Sequence, residues 1–145
     1  MKLTLFTDYA MRTLLHLGAH PDRLCSISEV SQAFGISQNH LMKVVNQLAR
    51  EGYVETVRGR FGGIRLGKPP EDINIGALVR DTEEGFDLAD CGSCVIAPAC
   101  GLTGVLGQAL AAFLAVLDSY TLADLLVQRS ELRQLLTGEF NRELL

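Results

Sequence analysis

The segment from residue 26 to residue 68, SISEVSQAFGISQNHLMKVVNQLAREGYVETVRGRFGGIRLGK, constrains the fold more than any other part of the chain. Its first half contains two short stretches with apolar residues at helical spacing, one capped by Ser28 and one starting at Ser37. Gly35 lies between them and suits a tight turn, because glycine tolerates positive φ. Two short helices around such a turn predict a helix-turn-helix.

A hairpin rich in arginine and glycine follows the second helix. Residues 53–57 and 64–66 favour extended strands, and RGRFGG between them predicts a flexible basic turn. A hairpin in this position is typical of the wing of a winged helix, which approaches the DNA backbone or enters a minor groove. Any one arginine here is also typical of a solvated surface, so the prediction depends on the combination. The residues that we expect at DNA are Ser37, Gln38, Asn39, His40, Lys43, Arg58, Arg60 and Arg65.

The charge distribution supports this interpretation. Residues 1–68 contain nine Lys and Arg against five Asp and Glu, a net charge of +4. Residues 69–145 contain four against twelve, a net charge of −8. A basic front half indicates contact with a polyanion, although ordinary surface asymmetry is the alternative.

Helical spacing also marks the regions on either side of this segment. Residues 7–18 predict a helix capped by Thr7 or Asp8. An apolar stripe runs from Leu102 to Leu117, which indicates packing on the same chain or pairing with a second copy. We expect a homodimer, because DNA-binding modules of this size read two half-sites through a two-fold axis. Thr121 is expected to cap one further helix, which carries leucines up to residue 136.

The expected fold is mainly α with a small β-hairpin wing, a winged helix-turn-helix domain followed by a long dimerisation helix. We divide the chain into a winged-helix domain at 1–80, a linker and cysteine loop at 81–101, the dimerisation and C-terminal helices at 102–138, and a tail at 139–145. Neither a signal peptide nor a membrane span is expected, which predicts a cytoplasmic protein. The sequence contains no Ser/His/Asp arrangement, phosphate loop or paired-carboxylate site that would predict an enzyme.

Three cysteines, Cys91, Cys94 and Cys100, lie in one loop with C-x2-C-x5-C spacing. In a reducing compartment such a cluster predicts metal binding or redox chemistry rather than disulfides. Thiolates are soft ligands that suit iron–sulfur clusters and zinc, and both prefer four ligands. The spacing of the cysteines alone does not identify the fourth ligand. Cys25 lies far earlier in the chain, where a lone cysteine is typical of a small core residue.

Four stretches together resemble the iron–sulfur winged-helix transcriptional repressors of the NsrR and IscR type. They are LTLFTDYAMRTLLHL, the helix-turn-helix and wing segment, the cysteine loop and SYTLADLL. The resemblance covers residues 1–136, and NHLMKVVNQL and YTLADL place the chain nearest the nitric-oxide-sensing branch. This resemblance implies a homodimer that binds double-stranded operator DNA and loses affinity when nitric oxide modifies its cluster.

The resemblance also implies a ligand set for a [4Fe-4S] cluster: Cys91, Cys94, Cys100 and Asp8 of the partner subunit. Arg12 lies one helical turn after Asp8 and is the expected partner of that carboxylate once it leaves iron, so the two residues form a candidate switch. Only two residues separate Cys91 from Cys94, fewer than in the family, so [2Fe-2S] is the alternative cofactor. No histidine follows Cys100, so the ligand set of the IscR type does not transfer.

Three other functions fit parts of this pattern. A regulator that senses iron–sulfur status or redox state, as the IscR type does, would use the same elements. A zinc-stabilised DNA-binding module would keep the DNA contacts and lack sensing. A small electron-transfer protein would use the cysteines but would have no use for the basic hairpin.

Overall fold

The computed structural model describes residues 1–138 of the chain. The expected tail at 139–145 lies outside these residues. The described part is mainly α-helical and contains one two-stranded antiparallel hairpin. Its elements are α1 (Leu5–Ala19), α2 (Ile27–Phe34), α3 (Gln38–Arg50), β1 (Val54–Val57), β2 (Gly63–Leu66), α4 (Ile75–Thr82), α5 (Leu102–Asp118), α6 (Leu122–Leu125) and α7 (Arg129–Thr137), with short 3₁₀ turns at Pro70–Asp72 and Ala97–Ala99.

Helix α1 begins two residues earlier than the sequence pattern predicts. The Thr4 side chain caps it by accepting a hydrogen bond from the Thr7 backbone N–H, so the prediction of Thr7 or Asp8 as the cap is wrong. Thr7 is instead buried, and its Oγ1 donates to Thr82 Oγ1 at 2.9 Å. The Thr4 backbone N–H donates to a carboxylate oxygen of Glu83 at 2.8 Å. Contacts with α4 and the residue after it therefore set the start of α1.

Helix α2 begins after Ser26, whose Oγ accepts a hydrogen bond from the Glu29 backbone N–H at 3.0 Å. The predicted cap, Ser28, is therefore wrong. The reason lies one residue upstream, where the Cys25 backbone pairs with Ile64 of the hairpin and holds the chain extended up to the helix start. Gly35 ends α2 in the left-handed conformation with φ 65°, as the sequence predicts.

Helix α3 and the hairpin follow the predicted pattern. Ser37 caps α3 by accepting a hydrogen bond from the His40 backbone N–H. The apolar face of α3 is buried through Leu41, Val44, Val45 and Leu48. In the hairpin Val54 lies opposite Leu66 and Val57 opposite Gly63. The two helices, the turn and the wing therefore form one unit around α1.

The last part of the described chain packs against this unit. Leu122 and Leu126 are buried and belong to the same core as α1. A Cβ at Gly18 would lie 2.5 Å from a methyl carbon of Leu126, so glycine at this position lets the Leu126 side chain pack directly against α1. The single predicted helix after Thr121 is therefore wrong: Leu126 turns inward and separates α6 from α7. Thr121 does cap α6, through a full capping box with Asp124.

Helix α5 has no fully buried residue, although it is strongly apolar. Leu114 and Leu117 pack partly on the core, while Leu102, Val105 and Val116 are each more than half exposed. Asp118 is its only charged residue and pairs with Arg80 of α4. Within residues 1–138, no helix is both long and apolar enough to cross a membrane.

Candidate DNA interface and cluster loop

The outer face of α3 carries polar residues above its buried apolar face. Gln38, Asn39 and Lys43 are exposed, as expected for the recognition helix of a helix-turn-helix. Asparagine and glutamine recognise adenine through two hydrogen bonds, and lysine recognises guanine or phosphate. This face therefore has the donors and acceptors that base recognition in a major groove requires.

Two further residues extend this face beyond the predicted set. Asn46 and Arg50 are exposed and continue the three- and four-residue steps from Asn39 and Lys43. The same spacing was present in the sequence, so helical periodicity alone was sufficient to find them. They extend the polar face over about three turns of the helix, to its last residue.

His40 differs from its neighbours on α3. It is half-buried, and its ring packs edge-on against Tyr9 of α1, with ring centroids 4.9 Å apart. This contact couples the first turn of the recognition helix to α1, which also carries Asp8. His40 therefore has a packing role in the structure, and its contact with DNA stays a prediction.

The tip of the wing carries Arg58 and Arg60, both exposed, and neither forms an ion pair within the described residues. The Arg60 guanidinium lies 5.6 Å from the centroid of the Phe61 ring, which is itself 87% exposed. Gly59 has a φ of 112° and Gly62 packs against the Val57 carbonyl, so the turn requires glycine at both positions. These two arginines are available for phosphate contacts.

Arg65, unlike Arg58 and Arg60, forms an ion pair within the wing. It forms two hydrogen bonds to Glu55, its cross-strand neighbour, at 3.0 and 3.1 Å. This pairing holds the pKa of Glu55 below its usual range. The charge of Arg65 is therefore compensated within the wing, which distinguishes it from Arg58 and Arg60.

The cysteine loop precedes α5 directly. Cys94 is exposed, and Cys91 and Cys100 are half-buried. Backbone N–H groups of Cys94, Ala97 and Cys100 each bond to the carbonyl three residues earlier, so the loop turns at three-residue steps. Within the described residues the three thiols do not converge into a ligand group. Three soft thiol donors on one exposed, closely turned loop fit an iron–sulfur cluster by donor type.

Asp8, the ligand implied by the resemblance, lies on α1 and its side chain is 38% exposed. Both of its oxygens accept hydrogen bonds from Arg12, at 2.8 and 3.2 Å. The Arg12 guanidinium also lies 5.8 Å from the centroid of the Phe34 ring, at the end of α2. The two residues of the candidate switch are therefore in contact, and Arg12 also contacts the first helix of the helix-turn-helix.

A second group of metal-binding side chains lies away from this loop and was not predicted. One ring nitrogen of His16, one of His20, the Cys25 thiol and a Glu29 carboxylate oxygen all lie within 4.8 Å of one another. His16, His20 and Cys25 are buried. Burial raises the pKa of the Cys25 thiol to about 11 and lowers the pKa of His16. Hydrogen bonds from Arg23 lower the pKa of Glu29 to about 2. Only the H-x3-H spacing of the histidines was a signal in the sequence.

Comparison with known proteins places this architecture in a family. The family model described as "Rrf2: Iron-dependent Transcriptional regulator" matches residues 3–128. The transcriptional regulator NsrR of Bacillus subtilis is 52% identical over 142 residues, covering 94% of this chain and 97% of the relative. NsrR of Geobacillus kaustophilus is 51% identical over the same length and coverage.

Solved structures give the same result. A transcriptional regulator of Listeria innocua superposes with a TM-score of 0.75 at 28% identity, covering 87% of this chain and 86% of that chain. The T. potens IscR structure superposes with a TM-score of 0.71 at 27% identity and the same coverage. Together with the helix-turn-helix, the wing and the polar face of α3, these similarities show that the chain belongs to the Rrf2 family of winged-helix transcriptional regulators and is of the NsrR type.

Proposed function

We propose that this regulator is a cytoplasmic homodimeric repressor that holds an iron–sulfur cluster and releases operator DNA in response to nitric oxide. The observation that carries the proposal is the position of the three thiols, on an exposed loop next to the start of an exposed apolar helix. The same chain presents an uncompensated basic wing and a polar recognition helix. A ligand site, an oligomerisation surface and a DNA surface are thus combined in one small protein.

Pairing of α5 between two copies supports the dimeric part. An α-helix that is apolar on nearly every face is normally covered, because exposed apolar surface is unfavourable in water. Leu102, Val105 and Val116 are the exposed residues that a second copy would cover. Val95 and Ile96 of the cysteine loop are also exposed apolar residues.

Cys91, Cys94 and Cys100 would hold the cluster, with Asp8 of the partner subunit as the fourth ligand. When bound, the cluster supplies iron atoms with which nitric oxide reacts. A carboxylate binds iron less tightly than a thiolate, which suits a ligand that is exchanged. In the described residues Asp8 is paired with Arg12, so this carboxylate has a partner when it does not bind iron.

A change of partner at Asp8 would be transmitted through α1 to the helices that bind DNA. Arg12 contacts Phe34 at the end of α2, and Tyr9 contacts His40 at the start of α3. A coupling of about 1–3 kcal/mol between the cluster and the operator is typical of allosteric proteins and corresponds to roughly 5–150-fold in affinity.

The test is anaerobic purification of the full chain, followed by visible absorption and by iron and sulfide analysis. Four irons and four sulfides per chain would support [4Fe-4S], and two of each would support the alternative [2Fe-2S]. Colourless protein containing zinc would contradict the sensing function. Cys94→Ser should lose the cluster, whereas the matched variant Cys25→Ser should keep it.

DNA binding is tested on the same preparation. Electrophoretic mobility shifts with operator DNA should show a lower affinity after addition of a nitric oxide donor. Cys94→Ser protein, treated in the same way, should show no change on addition of the donor. An affinity that is unaffected in the cluster-containing protein would contradict nitric oxide as the signal.

A further inference from the structure

We infer that His16, His20, Cys25 and Glu29 form a structural metal site for a divalent transition ion, best suited to zinc. This site is separate from the cysteine loop. Its four donors come from the end of α1, the residue that pairs with the wing, and the first turn of α2. All four ligand atoms lie within 4.8 Å of one another, and three of the four side chains are buried.

The hydrogen bonds of His20 prepare it as a ligand. Its Nδ1 lies 2.9 Å from the His16 carbonyl oxygen, and because a carbonyl only accepts, Nδ1 must carry the proton. The lone pair of neutral His20 is therefore on Nε2, which is buried and has no hydrogen-bond partner within residues 1–138. Metal-binding histidines typically show this arrangement, with one nitrogen held by a carbonyl and the other on the metal.

His16 provides the second unexplained nitrogen. Its Nε2 donates to Glu29 Oε2 at 2.7 Å, and its Nδ1 is buried without a partner within the described residues. Native proteins leave few buried polar atoms unpaired, and an absent ion is one of the usual reasons. Two such atoms lie on His16 and His20, two residues of this one group, whose ring centroids are 4.7 Å apart.

The donor set indicates the kind of metal. Two imidazoles, one thiolate and one carboxylate suit zinc, which prefers four-coordinate sites with nitrogen and sulfur ligands. Ligand atoms around tetrahedral zinc lie about 3.3–3.8 Å apart, so binding would open the 2.7 Å hydrogen bond between His16 and Glu29 and bring the widest ligand pairs, now within 4.8 Å of one another, closer together. All four positions would be filled by protein side chains, which is typical of a structural rather than a catalytic ion.

Neighbouring residues fit this assignment. Arg23 donates to both oxygens of Glu29, at 2.8 and 2.9 Å, and so orients the carboxylate from the solvent side. Ligating carboxylates are commonly held in this way by outer groups. His20 and Arg23 also line a surface pocket beside α7, which provides an entry path for an ion. A bound ion would fix α2 against α1 and the wing, and so fix the position of the recognition helix.

The test uses the full chain with Cys91, Cys94 and Cys100 all replaced by serine. Cys25 is then the only cysteine, because the chain has four. Titration with Co²⁺ should give one bound ion per chain, with thiolate-to-cobalt charge-transfer bands and the visible bands of tetrahedral Co²⁺. Zn²⁺ should displace it and raise the melting temperature, because it binds the folded state.

Two further variants identify the ligands in this background. His20→Gln should abolish the cobalt bands and the stabilisation by Zn²⁺, whereas the matched control His40→Gln should keep both. Far-ultraviolet circular dichroism establishes that each variant is folded, and Glu29→Gln provides a second test if His20→Gln does not fold. Folded triple-serine protein without a charge-transfer band would overturn the inference, as would bands that survive both His20→Gln and Glu29→Gln. Because this background lacks the loop thiols, the result does not depend on the proposed cluster.

Discussion

The Asp8 carboxylate and the Arg12 guanidinium, one turn apart on α1, form two hydrogen bonds of 2.8 and 3.2 Å. Both side chains are partly exposed, and exposed pairs at this spacing contribute only about 0.3–0.5 kcal/mol. The pair therefore holds Asp8 weakly, so a stronger ligand interaction can displace it. Substitutions of Asp8 and of Arg12 should therefore have different effects on the cluster.

Asp8→Asn is expected to leave the fold intact and to make the cluster more labile, because the amide is a weaker ligand than the carboxylate. The measurement is the decay of visible absorbance, together with operator affinity before and after a nitric oxide donor. Arg12→Gln is the matched control and should keep the cluster, since it removes only the competing partner of Asp8. Identical decay in Asp8→Asn and wild-type protein would contradict a ligand role for Asp8.

Removal of a positive charge at the tip of the wing should weaken DNA binding to a similar extent for all DNA sequences. Arg60→Ala is expected to reduce the slope of log affinity against log salt by about one unit if Arg60 contacts a phosphate. The measurement is fluorescence anisotropy with labelled operator over a series of salt concentrations. An unchanged slope and affinity would exclude Arg60 from the interface.

In the wild-type protein Glu55 is expected to weaken DNA binding, because its negative charge compensates the positive charge of Arg65. Glu55→Gln is expected to tighten operator binding and to steepen the salt dependence by up to about one unit, since it frees a guanidinium on the wing. Glu51→Gln, a change of the same charge outside the hairpin, is the matched control. Equal effects of the two variants would indicate a general charge effect and not the release of Arg65.

The exposed face of α5 should be essential for oligomerisation. Val105→Glu is expected to shift the protein from dimer to monomer and to reduce operator affinity, because it would bury a charge between two helices. Val127→Glu is the control, since Val127 is 83% exposed and lies outside α5. Sedimentation velocity gives the oligomeric state. A dimeric Val105→Glu protein would place the interface elsewhere.

The contact between Gly18 and Leu126 should appear as a coupling in stability. Gly18→Ala is expected to cost about 1 kcal/mol or less, because the Leu126 methyl group can shift and alanine favours the helix, whereas Leu126→Ala should cost about 2–5 kcal/mol through a cavity. The double variant should cost less than their sum, because the alanine at 18 then fills part of the space left by the leucine. Urea unfolding measures the three values, and simple additivity would contradict the contact.

Local signals in the sequence determined the central elements of this protein. Ser37 and Gly35 mark the ends of the two helices, and Thr121 marks the start of α6, because capping and left-handed turns depend on neighbouring residues alone. The wing and the polar face of α3 follow from strand propensity and helical periodicity in the same way. The family resemblance was likewise present in these stretches, and the comparisons confirm it.

Only the tertiary structure decided the features that depend on distant residues. Thr4 caps α1 where Thr7 was expected, because Glu83 fixes Thr4 and Thr82 takes Thr7 into the core. Leu126 interrupts the last predicted helix where its side chain is buried in the core beside Gly18. The four side chains of the second metal group lie together because the Cys25 backbone pairs with Ile64 and so brings the following residues next to α1. These side chains are His16, His20, Cys25 and Glu29. Such contacts join residues from different elements, and a local pattern carries no information about which elements will meet.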